Sequence, residues 1–276
     1  MNAYFQNKYV LITGGSSGIG LALAKRLFAR GASLSLLAQN MERLQNARAE
    51  VEKFRQATSQ TLDIFSADVA NLDSVSSAAR QITTAGTPDI IFNCAGVARP
   101  GYVEELDLDI YHWTMDINYF GTVNVCKVFL PDFLKRGSGH FVNFSSIAGV
   151  VGLFGYTAYC GSKFAVRGFS DALRNEIKPK GVRVSIVYPP DTDTPQLAWE
   201  DQFKPFETRQ ISGVSKPLNA DDVALAILSQ VERGKYAILP GTDAKLMYFA
   251  ATSLGNLIYP VLDMMVRSAL KKKPKT

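Results

Sequence analysis

Tyr159-Cys160-Gly161-Ser162-Lys163 sets a phenol and an ammonium four positions apart. On a helix that spacing puts both side chains on one face. A cation close to a phenol favours the phenolate, which would make Tyr159 a proton donor and acceptor near neutral pH. The spacing alone is weak, because Tyr4-Phe5-Gln6-Asn7-Lys8 repeats it where no site could be built. Other polar groups single out Tyr159. Ser146, in Phe144-Ser145-Ser146, precedes it by thirteen residues, and Asn93 opens Asn93-Cys94-Ala95-Gly96; both stand where apolar runs end. Asn118 is a polar residue inside a largely apolar helical stretch. The plainer alternatives are that Ser146 satisfies a strand end and Asn118 bonds its own helix backbone.

A second group of residues suits a phosphate. Thr13-Gly14-Gly15-Ser16-Ser17-Gly18-Ile19-Gly20 follows an apolar run and leads into Leu21-Ala22-Leu23-Ala24-Lys25-Arg26-Leu27. Glycines let the backbone approach a pyrophosphate, whose charge a helix N-terminus favours. The spacing is GxxxGxG rather than the dinucleotide fingerprint GxGxxG, and no Lys follows as a P-loop would need. A mere tight turn is the alternative. About twenty residues on, an acid would accept the ribose hydroxyls of NAD; Ala38 stands there instead. Without that acid a 2′-phosphate meets no repulsion, although Gln39 is neutral and Arg43 lies one helical turn further. NADPH is expected over NADH.

These residues need a scaffold that brings strand ends to one edge, and the patterning supplies it. Apolar runs at 9–13, 33–37, 63–66, 89–93, 140–144, 182–188 and 236–239 alternate with helical patterns at 18–29, 41–55, 74–83, 108–134, 158–177 and 220–232. Continuous apolar strands are covered on both faces, and alternation with helices means parallel crossovers. The expected fold is α/β, a doubly wound parallel seven-stranded sheet with helices on both faces. The composition agrees, since 276 residues at 47% hydrophobic and 20% charged exclude a disordered, collagen-like or coiled-coil chain. Cys94, Cys126 and Cys160 show no metal-ligand spacing and read as reduced thiols; no metal is expected. His112 and His140 have no nucleophile to serve and read as structural. The net charge is +5, but the tail 271–276 holds four lysines and no acid, so the rest of the chain is nearly neutral. No basic face for nucleic acid is evident.

Two stretches break the rhythm. Residues 189–217 are long, polar and rich in Pro and Thr, with Trp199, Phe203 and Phe206 among them, and read as a substrate lid. Residues 246–262 carry no charge, yet fall short of the roughly 20 residues that span a bilayer. Leu254, Leu257, Ile258, Val261, Leu262, Met265 and Ala269 fall at helical spacing there, with Asp263 and Arg267 on the other side. The expected organisation is a dinucleotide-binding catalytic domain over 1–243 and an amphipathic segment with a basic tail over 244–276. That segment could pack on a partner subunit, cover the pocket or lie in a membrane interface. The first strand begins at Tyr9, so no targeting leader is expected, and the location is read as cytoplasmic or peripheral to a membrane.

Taken together and in order, TGGSSGIG, Asp68-Val69, NCAG, Asn118, the Ser146/Tyr159/Lys163 set and the run from Pro189 to Thr194 resemble the short-chain dehydrogenase/reductase family over roughly residues 8–240. The resemblance implies hydride transfer between NAD(P)H and a carbonyl or alcohol. It implies that Tyr159 protonates the carbonyl oxygen, Ser146 hydrogen-bonds it, Lys163 binds the nicotinamide ribose and Asn118 holds the water of a proton relay. Gly14, Ser16, Ser17, Gly18 and Ile19 would line the phosphates, Gln39 and Arg43 the adenosine ribose, and Asp68 and Val69 the adenine. Asn93, Ala95 and Gly96 would shape the cofactor floor, with Pro189, Thr192 and Thr194 around the carboxamide. A homo-oligomer, dimer or tetramer, is expected. Tyr188-Pro189-Pro190-Asp191-Thr192-Asp193-Thr194-Pro195 and Glu207-Thr208-Arg209-Gln210-Ile211-Ser212 are similar to the 3-ketodihydrosphingosine reductases, which implies a lipid-like amino ketone as substrate. Other carbonyl substrates, an acyl thioester, steroid or retinoid, and a non-catalytic NADP-sensing protein are the alternatives.

Overall fold

A computed structural model describes residues 3–212 and 216–273. Seven runs pair into one sheet: β1 (Tyr9–Thr13), β2 (Ser33–Ala38), β3 (Leu62–Ser66), β4 (Ile90–Asn93), β5 (Gly139–Phe144), β6 (Val182–Val187) and β9 (Ala237–Ile238). The order is β3-β2-β1-β4-β5-β6-β9 and every pair is parallel. Val10, Leu11 and Ile12 are all fully buried, as a strand covered on both faces requires. One face is packed by α1 (Gly18–Phe28), α2 (Met41–Glu52) and α9 (Ala220–Glu232), through Leu23, Phe28, Leu44 and Ile227. The other is packed by α3 (Leu72–Ile82), α5 (Gly121–Arg136) and α6 (Thr157–Ile177), through Val75, Phe129, Phe133 and Leu173.

Strand order reverses between β1 and β4, so the chain leaves those two strands in opposite directions and opens a crevice at their C-terminal ends. The register pairs Thr13 with Asn93, Asn93 with Asn143 and Phe144 with Val187. Gly14, Cys94, Ser145 and Tyr188 therefore leave the sheet at one edge.

Three elements depart from the sequence reading. The single helix expected over 108–134 is α4 (Leu108–Met115), a π turn (Asp116–Phe120) and α5. The wider turn carries Asn118, whose side chain bonds both backbone groups of Val97 instead of its own helix. Such insertions in a helix recur at functional sites. The 189–217 stretch is not an irregular loop. It holds β7 (Thr192–Asp193), which pairs with β8 (Leu218–Asn219), and then α7 (Pro195–Glu200) and α8 (Phe206–Ser212). Thr194 caps α7 by accepting from Leu197 N at 3.2 Å, and Pro195 at the first helical position loses nothing by lacking an N–H. The part of that stretch at 213–215 lies outside the described residues.

The C-terminal stretch forms α10 (Thr242–Ser253) and α11 (Ile258–Lys271), parted at Gly255, whose φ of +52° ends the first helix. Ala244, Ile258 and Ala269 are buried, and Ala244 and Ile258 pack with Ile147, Val151, Ile186 and Tyr188. Leu254, Leu257 and Val261 turn outward, so the apolar spacing read from the sequence is shared between a buried and an exposed stripe. Pro274, Lys275 and Thr276 of the basic tail lie outside the described residues. Among the described residues no helix is long and apolar enough to cross a membrane, and no cluster could hold a metal ion.

Candidate active site

Close backbone packing shapes the crevice. Gly14 has a φ of +65°, and a Cβ there would sit 2.8 Å from Ala95 N, so only glycine lets the β1–α1 turn lie on the exit of β4. Thr13 Oγ1 locks the two by accepting from Ala95 N at 3.2 Å. Ser17 precedes α1 without a side-chain cap, which leaves the N–H groups of the first turn to whatever anion lies in the groove. Thr194 comes down on Gly18 from the other side, 3.1 Å from where a Cβ would stand. Gly96 likewise leaves space that a Cβ would fill beside Asn118 Oδ1 (3.1 Å) and Lys163 Nζ (3.4 Å). A glycine-floored trough with free helix N–H groups at one end and an ammonium at the other fits a dinucleotide.

Tyr159 and Lys163 occupy the first two turns of α6, and Ser146 leaves the end of β5 facing them. The helix is fixed to that strand end by Ser145 Oγ, which donates to Lys163 O at 2.9 Å, and by Lys163 Nζ, which donates to Phe144 O at 2.9 Å. Lys163 Nζ lies 5.5 Å from the centre of the Tyr159 ring. Ser146 Oγ accepts from Ala148 N at 3.2 Å, which leaves its hydroxyl proton for the Tyr159 side. Asn118, fully buried, accepts from Val97 N at 2.8 Å and donates to Val97 O and to Ser162 Oγ, both at 2.9 Å. It thereby ties the π turn, the exit of β4 and α6 together.

Burial dominates the titration of both groups. It raises Tyr159 well above the usual phenol range, the charge of Glu200 raises it further, and a hydrogen bond from Ser146 offsets only part of this. Burial pushes Lys163 down to about 8. Burial therefore favours the protonated phenol, and the ammonium of Lys163 is the charge in the site that works the other way, toward phenolate. A protonated phenol is the form that can give a proton to a nascent alkoxide.

One cavity of about 530 Å³ joins Gly14, Ser16, Ser17, Gly18, Ile19, Ala95 and Gly96 to Ser146, Tyr159, Lys163, Pro189, Thr192 and Thr194. Six expected residues lie off its wall. Gln39 and Arg43 are exposed beyond the adenosine end. Asp68 accepts from Ala70 N at 2.9 Å, and Val69 is buried against Gly121. Asn93 is buried under the trough, donating to Asn143 Oδ1 at 2.9 Å, because its side chain follows the strand's alternation away from the groove. Asn118 stands behind Gly96. His140 is structural, as read: it is buried, bonds Ser185 Oγ at 2.8 Å, and is pushed down to about 3 by burial.

The far end of the cavity was read from sequence only as stretches, 189–217 as a lid and 244–276 as a segment that could cover the pocket. Leu153, Phe154, Tyr156 and Glu200 line it together with Met247, Leu262 and Met265 from α10 and α11. Leu262 and Met265 lie on the helical spacing read from the sequence; for the others the one available signal was that the lid and C-terminal stretches break the α/β rhythm.

A model of the short chain dehydrogenase family matches residues 8–204. The 3-ketodihydrosphingosine reductase of Bos taurus is 39% identical over 259 residues, which is 93% of this chain and 77% of that protein. The 3-dehydrosphinganine reductase of Danio rerio is 38% identical over 241 residues, 87% of this chain and 73% of its own length. Levodione reductase, a solved structure, superposes with a TM-score of 0.79 at 26% identity, over 87% of this chain and 99% of that one. The matched span takes in the glycine turn, the β4 exit and the Ser146, Tyr159 and Lys163 cluster, and the chain belongs to the short-chain dehydrogenase/reductase family of oxidoreductases.

Proposed function

We propose that this protein reduces 3-ketodihydrosphingosine to dihydrosphingosine with NADPH. The observation that carries the reading is that Ser146, Tyr159 and Lys163 converge on one cavity whose far wall holds Leu153, Phe154, Met247, Leu262 and Met265. A nicotinamide cofactor held by these residues would supply a hydride to the carbonyl carbon. Ser146 donates a hydrogen bond to the carbonyl oxygen, and as the π electrons move onto that oxygen Tyr159 passes its proton to it. Lys163 holds the nicotinamide ribose and, as a cation beside the ring, favours the tyrosinate left behind. Asn118 ties α6 to the β4 exit and, in this reading, holds the water of a proton relay. Gly14, Ser16, Ser17, Gly18 and Ile19 hold the phosphates, with Gln39, Arg43, Asp68 and Val69 at the adenosine end and Ala95, Gly96, Pro189, Thr192 and Thr194 at the nicotinamide end. The absence of an acid at Ala38 supports NADPH over NADH.

In this reading residues 1–243 form the catalytic domain and 244–276 a segment that roofs the substrate end. Exposed Leu246, Phe249, Leu257, Val261 and Met264 on α10, α11 and the turn between them support contact with a membrane surface, where a lipid ketone resides. Exposed Leu108, Phe120 and Phe164 on neighbouring elements support self-association. Three free cysteines, two of them buried, support a reducing, cytoplasmic setting.

The test follows NADPH and NADH absorbance with 3-ketodihydrosphingosine in detergent. NADPH oxidation that is lost in Tyr159→Phe supports the reading. Faster use of NADH overturns the cofactor preference. Turnover of an acyl thioester or steroid ketone alone overturns the substrate, and no turnover of any ketone with cofactor still bound favours a sensor.

A further inference from the structure

Glu200 is a buried carboxylate in the cavity that proton transfer does not use. It ends α7, is 6% exposed, and lines the same cavity as Tyr159 and Lys163. Its Oε2 accepts from Tyr156 OH at 3.0 Å and its Oε1 from Gln196 Nε2 at 2.8 Å. Both donors are neutral, and an ionised carboxylate can accept about four hydrogen bonds, so each oxygen has capacity left. The two cations that feel its charge are held elsewhere: Lys163 by Phe144 O, and Lys204 by Asp201 at 2.6 Å. A buried carboxylate paired only with neutral donors is costly, and a cation arriving in the cavity relieves that cost.

The position of Glu200 matters as much as its burial. Tyr156 stacks obliquely on Tyr159, with ring centres 5.9 Å apart, so the carboxylate it binds stands one side chain from the proton donor. Both Tyr159 and Lys163 feel its charge. The amino ketone proposed above carries its ammonium on the carbon next to the carbonyl, two bonds from the carbon that receives hydride. A ketone oxygen held by Ser146 and Tyr159 fixes where that ammonium falls. Asp191 lines the cavity too, but it is the more exposed of the two carboxylates.

We propose that Glu200 receives the ammonium of the substrate and so selects amino ketones over neutral ketones and thioesters. This rests on the amino-ketone reading of the site. The carboxylate orients the carbonyl for Ser146 and Tyr159 by charge as well as by shape, and Tyr156 and Gln196 keep it aimed.

Trp199 adjoins Glu200 and meets Trp113 edge-on at 6.2 Å, so tryptophan fluorescence reads binding at this end of the cavity. With NADP+ present, dihydrosphingosine is titrated against the diol of equal chain length that lacks the amine. Wild type is expected to bind the amine about 10- to 100-fold more tightly, and Glu200→Gln to shrink that ratio to about twofold or less. The ratio of kcat/KM for the amino ketone to that for its deaminated ketone should fall in parallel. A ratio that Glu200→Gln leaves intact overturns the proposal, and so does an equal loss for both ligands, which marks a structural role. Wild type binding both ligands alike overturns it even if the variant does not fold. The amino-ketone reading fails separately, when wild type does not reduce 3-ketodihydrosphingosine at all; in every other failure that turnover survives.

Discussion

The cavity has two halves built by different means. The cofactor half is made of strand-end turns from β1, β4 and β5, fixed to one another by the parallel register and by backbone contacts that admit no side chain. The half proposed to take the substrate is lined from α7, α8, α10 and α11. Its polar ties include Tyr102 OH, which donates to Glu207 Oε2 at 2.6 Å, Lys273 Nζ, which reaches Glu207 Oε1 at 2.9 Å, and Thr208 Oγ1, which donates to Phe154 O at 2.9 Å. The first half has one geometry because backbone cannot repack. The second can change its lining one side chain at a time, which is how one fold comes to serve many ketones.

Substitutions should divide along that line. Tyr159→Phe, at the junction, removes the proton donor and leaves the ring; the expected loss is about 10²–10⁴-fold in kcat, with cofactor affinity unchanged in a fluorescence titration. A parallel loss of cofactor binding would move Tyr159 into the cofactor half. Gly14→Ala forces a side chain into a left-handed conformation and against Ala95 N. It should cost about 1–3 kcal/mol in denaturant unfolding and weaken NADPH and NADH alike. Unchanged stability would mean that the turn can yield, and the contrast between the halves would lose its basis.

Legibility in the sequence follows the same division. The trough could be read because each of its parts is local: a glycine turn after an apolar run, Ser146 at a strand end, Tyr159 and Lys163 one helical turn apart. Periodicity placed all seven strands of the main sheet within one residue at either end, β9 included, where edge pairing trims one residue from each end of the apolar run. Glu200 could not be read, because an acid in a Pro- and Thr-rich stretch has the pattern of a solvated loop, and only packing against Tyr156 buries it. The inward stripe of α11 was equally hidden. Apolar residues there lie on two faces, and sequence spacing does not say which of them meets Tyr188 and Ile147. The π turn escaped for a related reason, since Asn118 bonds to Val97, twenty-one residues away.

Titration of Lys163 sharpens the comparison from the cofactor side. Burial lowers it to about 8 from an ordinary 10.5, so the folded protein releases this proton before the unfolded chain does. Two consequences follow. Between about pH 8 and 10.5 this group makes stability rise with pH, because the unfolded chain binds more protons there. Over the same rise kcat/KM should fall through about pH 8 as the cation beside Tyr159 is lost. In Lys163→Arg the charge persists to about pH 12 or beyond, so the alkaline fall should disappear whatever the absolute rate. A fall retained at the same pH in the Arg variant would assign it to another group.

The smallest effect belongs to the clasp between the lid and the C-terminal helix. Glu207 is 1% exposed, and although burial pushes its pKa up, hydrogen bonds from Tyr102 and Lys273 outweigh that and hold it below the usual carboxylate value. A depressed acid contributes stability that is present above its unfolded pKa and lost as pH falls through the folded one. The clasp should therefore loosen only in acid, below about pH 4.5, and not across the working range. Lys273→Met breaks it at neutral pH from the exposed side. The pair is partly solvated, so KM for the long-chain ketone should rise by about two- to fivefold, while NADPH affinity and the Lys163 limb of the pH profile stay as in wild type. Equal loss of cofactor affinity would mean that α11 reaches across the cavity, and the two halves would have to be treated as one.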